Sequence, residues 1–294
     1  MNFQDLLFNL QDYWRQYGCI LEQPADNEVG AGTFHPATFF GSLSQQPANT
    51  AYVQPSRRPT DGRYGDNPLR MQFYYQYQVI LKPSPENVQD LYLDSLVHVG
   101  VKLNEHDVRF ERDDWKSPTL GASGLGWQVV LDGVEISQFT YFQQMGGFDL
   151  SPITCELTYG TERIAMVLQD VESVWDLRWN DEISYADLRL EAEKQGCEHN
   201  FNKSDATTLF SLFDIFERES KRMIEEKLYV PAYEYLLKCS HYFNLLDARR
   251  AISTTERERY IQRVAALARG CAKVFVKSQS DESEEESEKV EAAS

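Results

Sequence analysis

Eleven residues, Met71 to Leu81 (MQFYYQYQVIL), constrain this chain more than any other stretch. Aromatic and β-branched residues crowd them and neither Gly nor Pro interrupts, so they predict a strand. A second β-prone stretch opens at Ala51-Tyr52-Val53. Between the two lies Arg57 to Pro68, a basic run rich in Pro, Gly, Asp and Asn that reads as a loop. The strands on either side of it are expected to pair antiparallel. Further on, Asp132-Gly133 divides WQVVL from VEISQFTYFQQ, a strong hairpin signal. Glu156 to Tyr159 is extended, Gly160 breaks it, and Thr161 to Gln169 reads as a helix.

Helical spacing dominates both ends. Phe3, Leu6, Leu7, Leu10, Trp14 and Tyr17 form one apolar face, ended by Gly18. Residues 25–50, with their Gly, Pro, Ala and Thr, read as a long ordered loop. Leu91 to Val101 reads as a helix and Asp107 to Glu111 as a short strand. Everything after Gln169 reads as helix. Leu209, Leu212, Phe213 and Phe216 share a face, Pro231 suits a first turn, and Thr255-x-x-Glu258 is a candidate capping box. Strands first and helices after indicate an α+β fold.

Length and composition narrow the class. A chain of 294 residues with 42% hydrophobic content buries a full core. No apolar run approaches 18 residues, so no membrane span is expected, and Met1 to Asp5 lacks the basic region of a secretory signal. The five Cys (19, 155, 197, 239, 271) are scattered, without a C-x-x-C pair, which points to a reducing cytoplasm rather than to disulfides or zinc. Basic residues number 29 against 46 acidic, a net charge of −17. Seven acids and one Lys of residues 278–294 supply −6 of it, and that Ser/Glu-rich tail is expected to be disordered. The remainder is still acidic, so a polyanionic substrate would need another chain to supply most of the grip.

Common catalytic signatures are absent: no G-x-x-x-x-G-K-[ST], no G-x-G-x-x-G, no H-E-x-x-H. The five His (35, 98, 106, 199, 241) show no metal-ligand spacing. Three features remain. Arg57, Arg58, Arg63 and Arg70 fall within fourteen residues of an acidic protein. Arg binds phosphate bidentately at any relevant pH, so such a loop could wrap a triphosphate; a solvated hairpin tip explains one Arg but four less well. Gly160-Thr161-Glu162-Arg163 opens an apolar helix whose N-terminus favours an anion, although, taken alone, a capped helix with an ordinary ion pair is the better reading of these residues. Glu135 lies on the second hairpin strand, where alternation places it with Ser137 and Phe139, opposite Ile136 and Gln138. A carboxylate there can hold Mg²⁺ on phosphate oxygens, or be a half-exposed strand acid.

The order of these features, an Arg loop between strands, an acidic strand and then Gly-x-Glu-Arg into a helix, resembles the class II aminoacyl-tRNA synthetases. Within them the chain is similar to the α subunits of the bacterial heterotetrameric glycyl-tRNA synthetases. The segments that carry the likeness are Gly30 to Pro36, YVQPSRRPTDGRYGDNP, Gln76 to Pro85, GLGW with EISQFTYFQQMGG, LTYGTERIAM and FNLLDARRAISTTERERYI, spread over residues 1–276.

The resemblance implies an antiparallel class II sheet flanked by helices in residues 1–170, a helical domain in 171–277 and the acidic tail in 278–294. It implies that the first helix and Pro24 form a homodimer interface. Arg58 and Arg70 are implied to hold the α- and γ-phosphates of ATP, with Arg57 and Arg63 next, and Tyr74 to stack on adenine. Arg163 is implied on the γ-phosphate and Glu135 on Mg²⁺. The usual acid two residues after the first motif Arg is missing at Arg58-Pro59-Thr60, which leaves Arg57 and Arg58 as alternatives for the α-phosphate. Glu156 and Thr158 stand where the class carries Gly, which would shrink the amino-acid pocket and add a carboxylate for the substrate ammonium. Thr33, Gln76, Gln78 and Trp115 are further candidates for that pocket. The implied activity is ATP-dependent glycyl-adenylate formation and transfer to tRNA(Gly), glycine–tRNA ligase, with Arg58, Arg163 and Glu135 as the catalytic groups. The implied partner is a β subunit in an α2β2 tetramer that contacts most of the tRNA. An alanine-activating ligase and a synthetase-like regulatory paralogue are the competing readings.

Overall fold

The computed structural model describes residues 1–293, with side chains described through Asp281. In chain order the elements are α1 (Phe3–Tyr17), β1 (Ile20–Leu21), α2 (Pro36–Leu43), β2 (Ala48–Arg57), β3 (Phe73–Lys82), α3 (Val88–His98), β4 (Val108–Arg112), β5 (Trp115–Ser117), β6 (Ala122–Leu131), β7 (Val134–Met145), β8 (Phe148–Gly160), α4 (Thr161–Gln169), α5 (Tyr185–Glu198), α6 (Ala206–Glu225), α7 (Tyr229–Ala248) and α8 (Thr254–Ala293). The strands join in one eight-stranded sheet of order β1-β2-β3-β8-β7-β6-β4, with β5 also on β6. Every pairing is antiparallel except β1 with β2. The α+β expectation and both predicted hairpins hold: β2 meets β3 around the basic loop, and β6 meets β7 across Asp132-Gly133.

Alternation along the strands gives the sheet two unlike faces. Tyr75, Tyr77, Val79 and Leu81 of β3 join Cys155, Leu157 and Tyr159 of β8 in one apolar core. Helix α1 closes that core with Phe3, Leu6, Leu10 and Trp14, all fully buried. Each such side chain contributes roughly 1.5–3 kcal/mol relative to exposure. Asn2 caps the helix by accepting from Asp5 N at 2.8 Å, and Gly18 ends it at φ 106°, a conformation that suits Gly.

The neighbouring positions on the same strands are buried but polar: Gln54, Ser56, Gln76, Gln78, Thr140, Glu156 and Thr158. Polar groups on the inner face of a sheet cost stability unless each finds a partner, which sets this face apart from the apolar one. Helices α2, α7 and α8 pack a second core beside it, built from Phe39, Phe142, Tyr233, Leu236 and Leu267 among others.

Two local expectations are corrected. Residues 25–50 are not one loop: a short 3-10 turn at Gly32–Phe34 and helix α2 occupy its middle. His35 caps α2, its Nδ1 accepting from Ala37 N at 2.9 Å, and Pro36 sits in the first turn, so His-Pro was the available start signal. The capping box of α8 lies two residues earlier than Thr255/Glu258. Ser253 N donates to Glu256 Oε2 at 2.8 Å and Ser253 Oγ accepts from Glu256 N at 3.3 Å. The expectation of disorder for 278–294 falls largely on residues whose side chains lie outside the description; Ser278 to Asp281 continue α8.

Candidate active site

A cleft of about 330 Å³ opens on the polar face. Its basic wall is Arg58, Arg70 and Arg163, with Tyr74 and Gln76 from β3, Glu135 and Gln138 from β7, and Thr158 from β8. Arg58 leaves the end of β2. Its Nε donates to Gly30 O at 3.1 Å, and its guanidinium lies 5.2 Å from the centroid of Tyr74. The Tyr74 hydroxyl is pushed up to about 12, chiefly by burial, so the ring stays neutral.

Arg163 stands in the first turn of α4, which has no side-chain cap. Its Nη1 donates to Glu135 O at 2.6 Å and to Glu135 Oε2 at 3.3 Å. The two side chains are 34% and 37% exposed, so the pair is open to the cleft. Glu162, its neighbour, points elsewhere. Its Oε1 accepts from Tyr75 N at 2.7 Å and from the Tyr185 hydroxyl at 2.8 Å, tying α4 to β3 and α5. Burial raises its carboxyl to about 7.

Next to Gln76 and Thr158 lies a closed polar cluster. Thr33 Oγ1 donates to Glu156 Oε1 at 2.9 Å, and Gln78 Nε2 also donates to Oε1. Thr158 Oγ1 donates to Gln78 Oε1 at 2.9 Å, and Gly32 N donates to Gln76 Oε1 at 2.8 Å. Tyr52 supports the 3-10 turn by donating to Gly32 O at 2.9 Å. Gly32 is required by close approach: a Cβ there would lie 2.6 Å from Gln78 Oε1. Every donor to Glu156 is neutral. Burial therefore outweighs the hydrogen bonds and raises its carboxyl to about 8.

The structure thus brings together Arg58, Arg70, Tyr74, Glu135 and Arg163 at the cleft, and Thr33, Gln76, Gln78, Glu156 and Thr158 in the adjoining cluster. Three candidates lie elsewhere. Arg57 pairs with Phe73 in register, so alternation turns it to the opposite face, 5.0 Å from the Phe73 centroid. Of the two alternatives, only Arg58 borders the cleft. Arg63 donates through Nη1 to the carbonyls of Thr60 and Gly62, at 3.2 and 2.7 Å, and so holds its own loop. Trp115 packs against Phe142 in the second core, with ring centroids 5.2 Å apart and planes tilted by 55°.

The face assigned to Glu135 is also corrected. Val129 pairs with Ser137 but Val130 with Glu135, leaving Ile136 as an extra residue. That bulge takes Glu135 out of phase with Phe139, which is buried in the core while Glu135 borders the cleft. The sequence reading passed over Asp61, which also borders the cleft; Glu162, read there beside Arg163, borders it too but accepts from Tyr75 N and the Tyr185 hydroxyl.

A sequence model of the family described as glycyl-tRNA synthetase alpha subunit matches residues 3–280. Two solved structures of pyrrolysyl-tRNA synthetase from Desulfitobacterium hafniense are also similar. One covers 63% of this chain and 75% of its own at 12% identity and TM-score 0.45. The other covers 59% and 71% at 12% identity and TM-score 0.41. Likeness at that level carries no argument about chemistry. The family match spans nearly the whole chain, cleft and cluster included: the chain belongs to the glycyl-tRNA synthetase alpha subunit family, and so to the glycine–tRNA ligases.

Proposed function

We propose that this chain is the catalytic subunit that activates glycine with ATP and passes the glycyl group to tRNA(Gly). The observation that carries this reading is Glu156, a buried carboxylate held only by neutral donors beside a cleft walled by three Arg. Leaving a buried carboxylate without a counter-charge is costly, and an arriving α-ammonium offsets that cost. The cluster is walled by Gly32, Thr33, Gln78 and Thr158, and Thr158 borders the cleft, which suits the smallest amino acid and offers a carboxylate for its amine.

In this reading Tyr74 stacks on adenine, Arg58 holds the α-phosphate, and Arg70 and Arg163 hold the γ-phosphate. The glycine carboxylate oxygen attacks the α-phosphorus, the bond to the β-phosphate oxygen breaks, and pyrophosphate leaves. The 3′-terminal hydroxyl of tRNA then attacks the glycyl carbonyl carbon and AMP leaves. The protein contributes positioning and fixed positive charge at the reacting phosphate.

Mg²⁺ fits the donor set. Among the described residues no three His, Cys, Asp or Glu side chains gather to hold a metal. A magnesium ion carried largely by nucleotide phosphates needs only one or two protein carboxylates. Glu135 would hold it; the ion when bound neutralises phosphate charge.

The homodimer reading is supported by large apolar side chains left exposed on α1, β1 and α3: Phe8, Ile20 and Val97. A β partner is supported by the acidity of the chain, which suits tRNA contact made mostly by another subunit. The five free cysteines, all buried, accord with a cytoplasmic setting, and among the described residues no helix is long and apolar enough to cross a membrane. We keep residues 1–170, 171–277 and 278–294 as the working division of the chain. The test is ATP–pyrophosphate exchange with glycine, alanine and serine, followed by aminoacylation of tRNA(Gly) with and without a β subunit. Glycine alone should support exchange, and aminoacylation should require both chains.

A further inference from the structure

A second cleft, of about 310 Å³, lies at the tip of β2 and β3 on the face opposite the first. Helices α5 and α7 and the turn at His199–Lys203 complete its walls. It is bordered by Arg57, Arg189, His199, His241 and Glu28, among others. The reading of the first cleft uses none of these.

Two cations in it form no salt bridge with the carboxylates that share the cleft, Glu28 and Glu193. The Arg57 and Arg189 guanidinium carbons lie 5.0 and 5.1 Å from the centroid of one ring, Phe73. Among the described residues neither has a carboxylate partner. Arg189 donates to the Tyr75 hydroxyl, while its Nε is buried with no hydrogen-bond partner. Glu193 is near but spent: its carboxylate accepts from Arg63 N and Gln72 N, both at 2.9 Å. Cation–π packing alone accounts for one Arg on a ring. Arg189 also packs on Tyr75 and Trp179, 5.3 and 5.8 Å from their centroids, and two guanidinium groups without a salt bridge at one ring give the cleft a positive potential that attracts an anion.

The rest of the lining suits a nucleotide better than a bare anion. Glu28 is an exposed rim carboxylate able to accept from ribose hydroxyls, the groups that distinguish RNA from DNA. His241 is lowered to about 4 by burial, so its ring is neutral and both donates and accepts. The wall between the two clefts is one chain thick. Val29 O accepts from Arg57 N at 2.8 Å and Gly30 O accepts from Arg58 Nε at 3.1 Å, so consecutive Arg residues serve opposite sides.

We infer that the cleft lined by Arg57, Arg189 and His241 is a nucleotide subsite for the single-stranded 3′ end of the tRNA, with a phosphodiester held by its Arg side chains. The inference rests on the synthetase reading above. The same phosphate chemistry could come from free ATP or pyrophosphate, and the test separates them.

Arg189→Gln and His241→Gln are assayed in the α chain with its β subunit. Glycine-dependent ATP–pyrophosphate exchange should stay within about twofold of wild type, while KM for tRNA(Gly) in aminoacylation rises about tenfold. Arg189→Lys should recover part of the loss. In parallel, Trp175, which borders the cleft, reports binding by fluorescence. An oligoribonucleotide with the acceptor 3′ sequence should quench wild type but not Arg189→Gln, and its DNA counterpart should quench less. Unchanged tRNA KM in both Gln variants would overturn the inference. So would quenching by ATP or pyrophosphate alone, or a fall in exchange at unaltered tRNA KM. If wild type shows no exchange with glycine, the synthetase reading fails, and the oligonucleotide arm still decides whether the cleft binds RNA.

Discussion

Thr33 Oγ1 lies 2.9 Å from Glu156 Oε1, joining a 3-10 turn near the start of the chain to a central strand 123 residues later. This contact helps hold an ionisable carboxyl in a buried site with neutral neighbours alone, a costly arrangement that an ammonium ligand corrects.

Glu156→Gln should therefore separate stability from function. The folded carboxyl is raised to about 8 from an ordinary value near 4.5. Between those values the folded chain holds a proton that the unfolded chain has released, so stability falls as pH rises through the window. Glutamine cannot ionise. The variant should be more stable than wild type at pH 8.5, by roughly a few kcal/mol at most, and equal to it near pH 4. Its kcat/KM for glycine should drop about thirtyfold or more, from loss of a buried charge pair. Thermal melts at the two pH values and glycine titrations of exchange check both halves.

Specificity should respond to the walls of the same cluster. Thr158→Gly removes the hydroxyl that donates to Gln78 and opens space, so alanine activation should rise relative to glycine, by about 1–3 kcal/mol in the kcat/KM ratio. Gly32→Ala acts the other way. A Cβ 2.6 Å from Gln78 Oε1 displaces that side chain. Glycine kcat/KM should fall about tenfold with KM for ATP unchanged.

Much of this was legible in the sequence because strand and helix periods are local. The run at 71–81 and the Asp132-Gly133 turn located the sheet. Along that run Tyr74 borders the cleft while Phe73 and Tyr75 face away, as strand alternation requires. What alternation could not show is a register change. The extra residue at Ile136 moved Glu135 to the other face, and nothing in EISQ announces it. The side chosen by Arg57 likewise followed from its pairing with Phe73, a partner 16 positions away. The role of Glu193 as acceptor for Arg63 N and Gln72 N needed α5 folded back over β3, which no spacing encodes.

Arg163→Ala should abolish adenylation and leave the fold intact. Its ion pair with Glu135 is about one-third exposed on each side, so the pair contributes under about 1 kcal/mol to stability. Loss of a phosphate contact in the transition state costs more, roughly 3–4 kcal/mol, or a few hundredfold in exchange rate. A melting temperature near wild type together with that loss confirms the assignment. Near-normal exchange with a collapsed melt would make Arg163 a structural partner instead.

The acidic end should be dispensable for chemistry. Phe275 is the last buried hydrophobic residue of the second core. A chain ending at Lys277 keeps that contact, and should fold and activate glycine as the full chain does. Pyrophosphate exchange by the two forms, compared at equal concentration, checks it; a large deficit would give the tail a role in assembly or catalysis.

The central claim is that the carboxylate cluster next to a three-Arg cleft selects and activates glycine. Glycine-dependent ATP–pyrophosphate exchange by the wild-type chain, run beside alanine and serine at equal concentrations, tests it most directly. The account predicts exchange with glycine and at most a few per cent of that rate with either larger amino acid, since added side-chain volume meets Gln78 and Thr158. Equal exchange with alanine, or none with glycine in the presence of the β subunit, would contradict it.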